Sequence, residues 1–302
     1  MGKLKETLKE GAIQIGSGGS AGFVEVCIMH PLDLVKTRLQ IQSKSTDRND
    51  SRYYRGIIDC FGKMYKHEGL LSFWKGILPP ILAETPKRAV KFFTFEQYKQ
   101  FFMFGSLTPT PLTFSLAGLG AGATEAVFVN PFEVVKVSLQ ANKLKTKEAP
   151  STWTVTRTII NENGFGLKGL NKGLTATIAR NSIFNMFYFG FYHSVKGLLP
   201  EYENPYREFF KKIGLGFISG SVASCLNIPF DVAKSRIQGP QPVIGEVKYR
   251  TTINSIVIVY REEGFAALYK GLLPKVLRLG PGGAIMLVVY DYMHEYLTKI
   301  LK

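Results

Sequence analysis

The stretch Pro31-Leu32-Asp33-Leu34-Val35-Lys36-Thr37-Arg38-Leu39-Gln40 decides the fold, because the chain writes it three times. It returns as Pro131-Phe132-Glu133-Val134-Val135-Lys136-Val137-Ser138-Leu139-Gln140 and as Pro229-Phe230-Asp231-Val232-Ala233-Lys234-Ser235-Arg236-Ile237-Gln238. The prolines stand 100 and 98 residues apart, and self-similarity at a fixed period outranks any local reading of the fold. Other landmarks keep their offsets. Nine residues before each proline stands a glycine (Gly22, Gly122, Gly220), and four before that another (Gly18, Gly118, Gly216). Downstream come Trp74-Lys75-Gly76, Asn171-Lys172-Gly173 and Tyr269-Lys270-Gly271, then, nineteen residues past each last glycine, Phe95, Tyr192 and Tyr290.

These residues resemble the mitochondrial carriers, a family with a threefold Pro-x-Asp/Glu-x-x-Lys/Arg signature, over roughly residues 11 to 300. The wording of residues 169–173, 185–192 and 231–242 is similar to that of the family's carriers for oxodicarboxylates. The resemblance implies an all-α membrane protein: six transmembrane helices from three pseudo-symmetric αα repeats, each with a short matrix-side amphipathic helix. The repeats are placed at residues 11–105, 110–200 and 208–300. The implied task is exchange of C5–C7 oxodicarboxylates, such as 2-oxoadipate against 2-oxoglutarate, across the mitochondrial inner membrane by alternating access. A carrier for another dicarboxylate or a tricarboxylate is the nearest alternative, and a basic membrane-associated binding protein without transport activity is the alternative of a different class. No catalysis, cofactor or metal is expected. The implied partners are small dicarboxylate anions and inner-membrane lipids, cardiolipin among them. The protein is read as a monomer that binds no nucleic acid.

Composition agrees with a wet-cored membrane protein. The 302 residues are 45% hydrophobic with 30 glycines, a mean hydropathy of +0.04 and a net charge of +15. That charge alone also suits nucleic acid or an anionic surface, but a nucleic-acid binder would expose its bases on one face. Here six lie inside or between apolar runs. A membrane-buried enzyme is the third class, which turnover without transport would reveal. Cys27, Cys60 and Cys225 are odd in number and widely spaced, against a disulfide framework or zinc site. The four histidines lack ligand spacing, and Asn49-Asp50-Ser51 is a sequon without meaning in a reduced compartment. The first ten residues resemble neither a transit nor a signal peptide, so the address is expected to be internal.

Three runs ending at the signature prolines carry little charge: residues 11–30 with Glu25, 112–130 with Glu125, and 213–230 with none. At 1.5 Å per residue each is about long enough for a ~30 Å hydrocarbon core, and proline kinks or stops a helix. After each proline a loop and short amphipathic helix are expected, with Ile57, Ile58, Phe61 and Tyr65 at helical intervals. Spans at about 76–101, 173–195 and 271–297 follow, with charge in their middles. Residues 31–75, 131–172 and 229–270 hold 22 Lys/Arg against 12 acids, which places these long loops on the matrix side. Both termini then face the intermembrane space.

The Gly18-Gly19-Ser20-Ala21-Gly22 run matches a nucleophile elbow only formally, since it lacks the preceding strand. Its equivalents, Gly120 and Ile218 for Ser20, need no hydroxyl, so small-residue helix packing is the better reading. The signature charges have a bland reading as solvated helix ends. Three copies at one depth favour a ring instead: Asp33 with Lys136, Glu133 with Lys234 and Asp231 with Lys36. In the family such pairs close the matrix side, with Gln40, Gln140 and Gln238 as braces. Family-type pairs at the opposite side would use Glu96, Lys99, Lys196 and Asp291, with His193 in an acid's place and His294 in a base's.

Between these gates, Glu84, Lys87, Arg88 and Lys91 share one helix face, and Arg180 and Arg278 stand seven past Gly173 and Gly271. All fall roughly 10–22 Å into the core, where a charge costs about 2.5–3.5 kcal/mol or more unless it faces protein or water. Five bases against one acid want anions. Arg180 followed by Asn181 resembles the keto-acid pattern of the family, and the arginine-methionine run of its nucleotide carriers is absent. The expected substrate site is therefore Glu84, Lys87, Arg88, Lys91, Arg180, Asn181 and Arg278. Helix N-termini after Gly76, Gly173 and Gly271 are candidate sites for lipid head groups.

Overall fold

The computed structural model describes residues 2–42, 53–105, 107–144, 148–200, 204–242 and 246–300; the Asn49-Asp50-Ser51 sequon lies outside them. Among these residues there are nine α-helices and no strand: α1 Gly2–Ile41, α2 Ile57–Glu68, α3 Leu78–Phe101, α4 Pro111–Ala141, α5 Thr152–Asn163, α6 Leu174–Lys196, α7 Pro205–Gln238, α8 Thr252–Glu263 and α9 Leu272–Ile300. Each repeat thus supplies a long helix, a short one and a second long one. The long helices form a closed ring in the order α1, α3, α4, α6, α7, α9, with α9 packed back on α1. Three described stretches are long and apolar enough to cross a membrane by length and composition: Pro111–Ala141, Tyr206–Gln238 and Phe265–Ile300.

The signature prolines lie inside their helices rather than ending them. α1, α4 and α7 continue past Pro31, Pro131 and Pro229 to Ile41, Ala141 and Gln238, where the sequence reading expected the loop to begin. The residues after each proline bury side chains, among them Leu34, Val35, Val135 and Val232, in apolar clusters with the short helix of their own repeat, and that packing outweighs the missing amide. The carbonyl that Pro31 leaves without its helical donor is that of Cys27, and the Trp74 indole donates to it at 2.9 Å.

Gly118 and Gly122 explain the closest helix pair. A Cβ on either would lie 2.6 Å from Asn185 O or 2.5 Å from Asn181 O, so α4 and α6 touch backbone to backbone. The same motif in the other repeats is looser: Gly18 and Gly216 have no such clash. On α2 the apolar set divides. Ile57 and Phe61 pack on the core formed by Cys60, Met64, Leu34 and Val35, while Ile58 and Tyr65 face outward, exposed. Burial pushes the Cys60 thiol up to about 12, so it is not a reactive group.

Buried arginines clasp two of the three seams between repeats. Arg38 bonds Glu68 at 2.8 Å, the Tyr54 hydroxyl, and the carbonyls of Gln140 and Asn142 in repeat 2. Arg236 bonds Glu263, the Tyr249 hydroxyl, and the carbonyls of Gln40 and Gln42 in repeat 1. Lys75 and Lys270 complete the two clasps on the same carboxylates. In repeat 2 the equivalent residues are Ser138 and Asn163, and only Lys172 remains, donating to Gly239 O at 3.4 Å. A cavity of about 680 Å³ lies there, lined by Ser138, Asn163 and Lys172.

Burial alone would raise the Glu68 and Glu263 carboxyls, but the arginine and lysine hydrogen bonds hold both below the ordinary carboxylate range. The clasps therefore contribute fully above the ordinary Glu value of about 4.3 and are lost as pH falls through the lower folded-state value. Arg38→Met leaves the buried Glu68 carboxylate with Lys75 alone and the Gln140 and Asn142 carbonyls without their donor, and is expected to lower the detergent-solubilised Tm clearly. Ser138→Arg with Asn163→Glu should raise Tm by a smaller step, since a complete buried pair adds little over apolar packing. Thermal unfolding of both variants checks this; an unchanged Tm for Arg38→Met would mean the clasp is idle.

Candidate functional site

Below the middle of the ring, the segments after Pro31, Pro131 and Pro229 bring the six signature charges together. Lys136 Nζ lies 3.1 Å from Asp33 Oδ2, Lys234 Nζ 2.5 Å from Glu133 Oε2, and Lys36 Nζ 2.5 Å from Asp231 Oδ2. Each pair joins neighbouring repeats, the last closing the ring between repeats 3 and 1. Among the described residues the three glutamines do not bond these pairs, contrary to the bracing role expected for them. Gln40 accepts from Ser235 Oγ at 2.8 Å. Gln238 donates to Asn130 Oδ1, Thr177 Oγ1 and Lys172 O. The Gln140 side-chain amide is buried and has no partner among the described residues. Each glutamine stands one turn past its lysine, so its amide reaches sideways into the seam rather than up to the ion pair.

Above the ring lies a cavity of about 390 Å³, and Glu84, Lys87, Arg88, Lys91, Arg180, Asn181 and Arg278 all line it. Their partners differ from the expectation. Arg180 bonds Glu133 at 2.6 Å and lies 3.8 Å from Asp231. Arg278 bonds Asp33 at 3.0 Å and Glu25 at 2.8 Å. The two arginines are therefore held by the acids of the ring below. Arg88 bonds Glu84 at 2.6 Å and approaches Glu25 at 3.6 Å. Lys87 reaches Glu125 only at 4.0 Å. Lys91 has no carboxylate partner among the described residues and sits 5.5 Å from the centre of the Phe189 ring.

The sequence reading counted one acid at this depth. Glu25 from α1 and Glu125 from α4 also face the cavity, as does Lys275 from α9. Seven bases and four acids line it, so a surplus of positive charge remains after this correction. Glu25 and Glu125 both stand six residues before a signature proline, a repeated offset that could have found them. Lys275 has no counterpart, since its register holds Pro80 and Thr177 in the other repeats.

At the far end of the bundle the expected second gate is not assembled. Glu96 pairs with Lys99 on its own helix, and Lys196 and Asp291, both exposed, form no ion pair among the described residues. His193 stacks on Phe114 with ring centroids 3.4 Å apart, and His294 lies against Tyr290. The bundle is shut at one end and unlatched at the other. Asn, Lys and Arg side chains facing a chamber with a surplus of positive charge can hold a small anion with two separated charges. Among the described residues no group of His, Cys, Asp and Glu is arranged to hold a metal ion.

Comparison with known proteins gives one consistent family. The family described as "Mitochondrial carrier protein" matches residues 9–106, 108–203 and 206–301. The chain is 61% identical to the human mitochondrial 2-oxodicarboxylate carrier, covering 97% of this chain and 96% of that protein. It is 40% identical to mitochondrial 2-oxodicarboxylate carrier 2 of Saccharomyces cerevisiae, over 95% and 94% of the two chains. It is 42% identical to mitochondrial citrate transporter D of Aspergillus niger, again over 95% and 94%.

The ring makes a charge-reversal test. Asp33→Lys places three cations together, with Lys136 and Arg278, and is expected to abolish uptake, and adding Lys136→Asp should restore part of it. Uptake into liposomes at matched incorporation, with Tm measured alongside, checks the pairing; a double variant no better than either single would rule it out.

Proposed function

Because the chain belongs to the mitochondrial carrier family, a family of transporters of the mitochondrial inner membrane, we propose that it exchanges C5–C7 oxodicarboxylates, 2-oxoadipate and 2-oxoglutarate among them, by alternating access. The observation that carries this reading is the second tier of bases over the gate. Three acids, Asp33, Glu133 and Asp231, face six bases: Lys36, Lys136 and Lys234 of the signature, then Arg180, Lys275 and Arg278 above them. Each acid keeps a lysine when the upper base is withdrawn. The upper tier is thus available to a dianion without stranding any gate carboxylate.

Transport follows from that competition. An anion entering at the unlatched end first meets Lys91 and Lys87, the bases least committed to carboxylates. Its two carboxylates then take Arg180 and Arg278, whose planar forks fit a carboxylate with two parallel bonds. Each transfer removes one arm from Glu133, Asp231 or Asp33, and so weakens the closed gate in proportion to the substrate bound. A substrate with one carboxylate withdraws one arm; a dicarboxylate withdraws both. Binding energy is spent on the conformational step only to the extent that the substrate holds the arginines more tightly than the gate does.

In this reading the shut end faces the matrix with the long loops, and the termini face the intermembrane space. The three repeats at residues 11–105, 110–200 and 208–300 move as units about the gate. Cardiolipin head groups sit at the helix starts after Gly76, Gly173 and Gly271, and the working unit is the monomer.

Exchange in liposomes loaded with a panel of dicarboxylates and citrate tests the assignment. Arg180→Ala or Arg278→Ala should each lower 2-oxoadipate and 2-oxoglutarate exchange by about one to two decades, the worth of a charge-assisted hydrogen bond of roughly 1.5–3 kcal/mol. Lys87→Ala or Lys91→Ala should change the preference among chain lengths and leave exchange measurable. Normal exchange by either arginine variant would rule out the site, and citrate favoured over every oxodicarboxylate would move the substrate class to tricarboxylates.

A further inference from the structure

The three gate acids are unequal. Asp33 and Glu133 each meet one signature lysine and one arginine, whereas Asp231 meets Lys36 at 2.5 Å, Lys275 at 3.4 Å and Arg180 at 3.8 Å. Lys275 is the cation that threefold pseudo-symmetry does not require, and a ring that only closes the bundle is complete without it. Two further contacts fix its ammonium at the cavity floor. Its Nζ lies 5.4 Å from the centre of the Phe184 ring. The Asn227 amide, oriented so that its nitrogen donates to Arg180 O at 3.0 Å, accepts from Lys275 Nζ at 3.0 Å. Lys275, Phe184, Asn227 and Arg180 all line the cavity.

Resting on the oxodicarboxylate reading above, the geometry points to Lys275 as the residue that recognises the 2-oxo group. A 2-oxo acid carries a carbonyl oxygen beside its carboxylate, and the two call for different donors. The flat guanidinium of Arg180 matches the carboxylate, while the ammonium of Lys275 is a compact point donor suited to one oxygen. Both heads approach Asp231 from separate helices, α6 and α9, so both are within reach of one small acidic group. A substrate end that takes the place of Asp231 between them sets its carboxylate on Arg180 and its oxo oxygen on Lys275, and Asp231 keeps Lys36. Phe184 and Leu279, which line the same wall, meet the methylenes. An unsubstituted dicarboxylate offers Lys275 no oxygen at that position. The two ends of a 2-oxodicarboxylate differ chemically, and the part of the site that breaks the threefold pattern is the part able to tell them apart.

The test compares uptake of 2-oxoadipate with that of adipate by the same liposomes, so that insertion level cancels in the ratio. Wild type is expected to favour 2-oxoadipate, and Lys275→Met to reduce that preference about tenfold or more, the scale of one hydrogen bond to a charged group, chiefly through 2-oxoadipate. Asn227→Ala removes an anchor of Lys275 without altering charge and should move the ratio the same way by a smaller factor, which keeps the test open where Lys275→Met does not insert. An equal fall for both substrates would make Lys275 a structural arm of the gate and overturn the assignment, as would an unchanged ratio or a wild type without preference. A wild type that exchanges neither substrate overturns the oxodicarboxylate reading itself, before any variant is made.

Discussion

Charge inside the helix ring is the constraint on which this architecture depends. Asp33, Glu133 and Asp231 sit where hydrocarbon tolerates ions only in company, and each finds its lysine on the neighbouring repeat. The ion pairs therefore join each repeat to its neighbour and close the order of repeats around the axis. Glycine contacts between α4 and α6 and the arginine clasps at two seams complete the ring. Their outward faces are apolar because lipid surrounds them, as at Phe93, Phe128 and Val288, and their inward faces are polar because the ring encloses water and ions. The low mean hydropathy of +0.04 is the average of those two surfaces.

Much of this was legible because the chain states it three times. Repetition identified Asp33, Lys136 and their equivalents, the six long helices and the register of Arg180 and Arg278. The same habit hid what is not repeated. Lys275 stands alone in its register, and Glu25 and Glu125 read as single blemishes in apolar runs although they share an offset from proline. The count of five bases against one acid leaves out these two carboxylates. The helical extensions beyond the prolines were missed for a different reason. Proline's local tendency to stop a helix yields here to the burial of Leu34, Val35 and Val232 and to the inter-repeat ion pairs. The glutamines were assigned by likeness to a pattern, and the direction in which an amide reaches from a helix is not written in spacing.

Symmetry and its exceptions divide the labour. The gate is threefold because a closure about an axis is threefold. The cavity wall is not: α3 contributes Glu84, Lys87, Arg88 and Lys91, α6 contributes asparagines with Arg180, and α9 contributes Lys275, Arg278 and Met286. The seams are unequal too, since Arg38 and Arg236 clasp two of them and Ser138 leaves the third open.

The cross-repeat pairing also bears on how the molecule is assembled. No single repeat contains both members of any gate pair, so a repeat inserted by itself would present an unmatched acid and an unmatched base to lipid. Asp33 waits for Lys136, and Glu133 waits for Lys234. Lys36, among the first of these residues to be synthesised, waits for Asp231, and that bond cannot form before most of the chain exists. The barrel's halves and thirds thus hold gate charges whose partners lie on the missing repeats, and the ring of pairs closes only when the third repeat arrives.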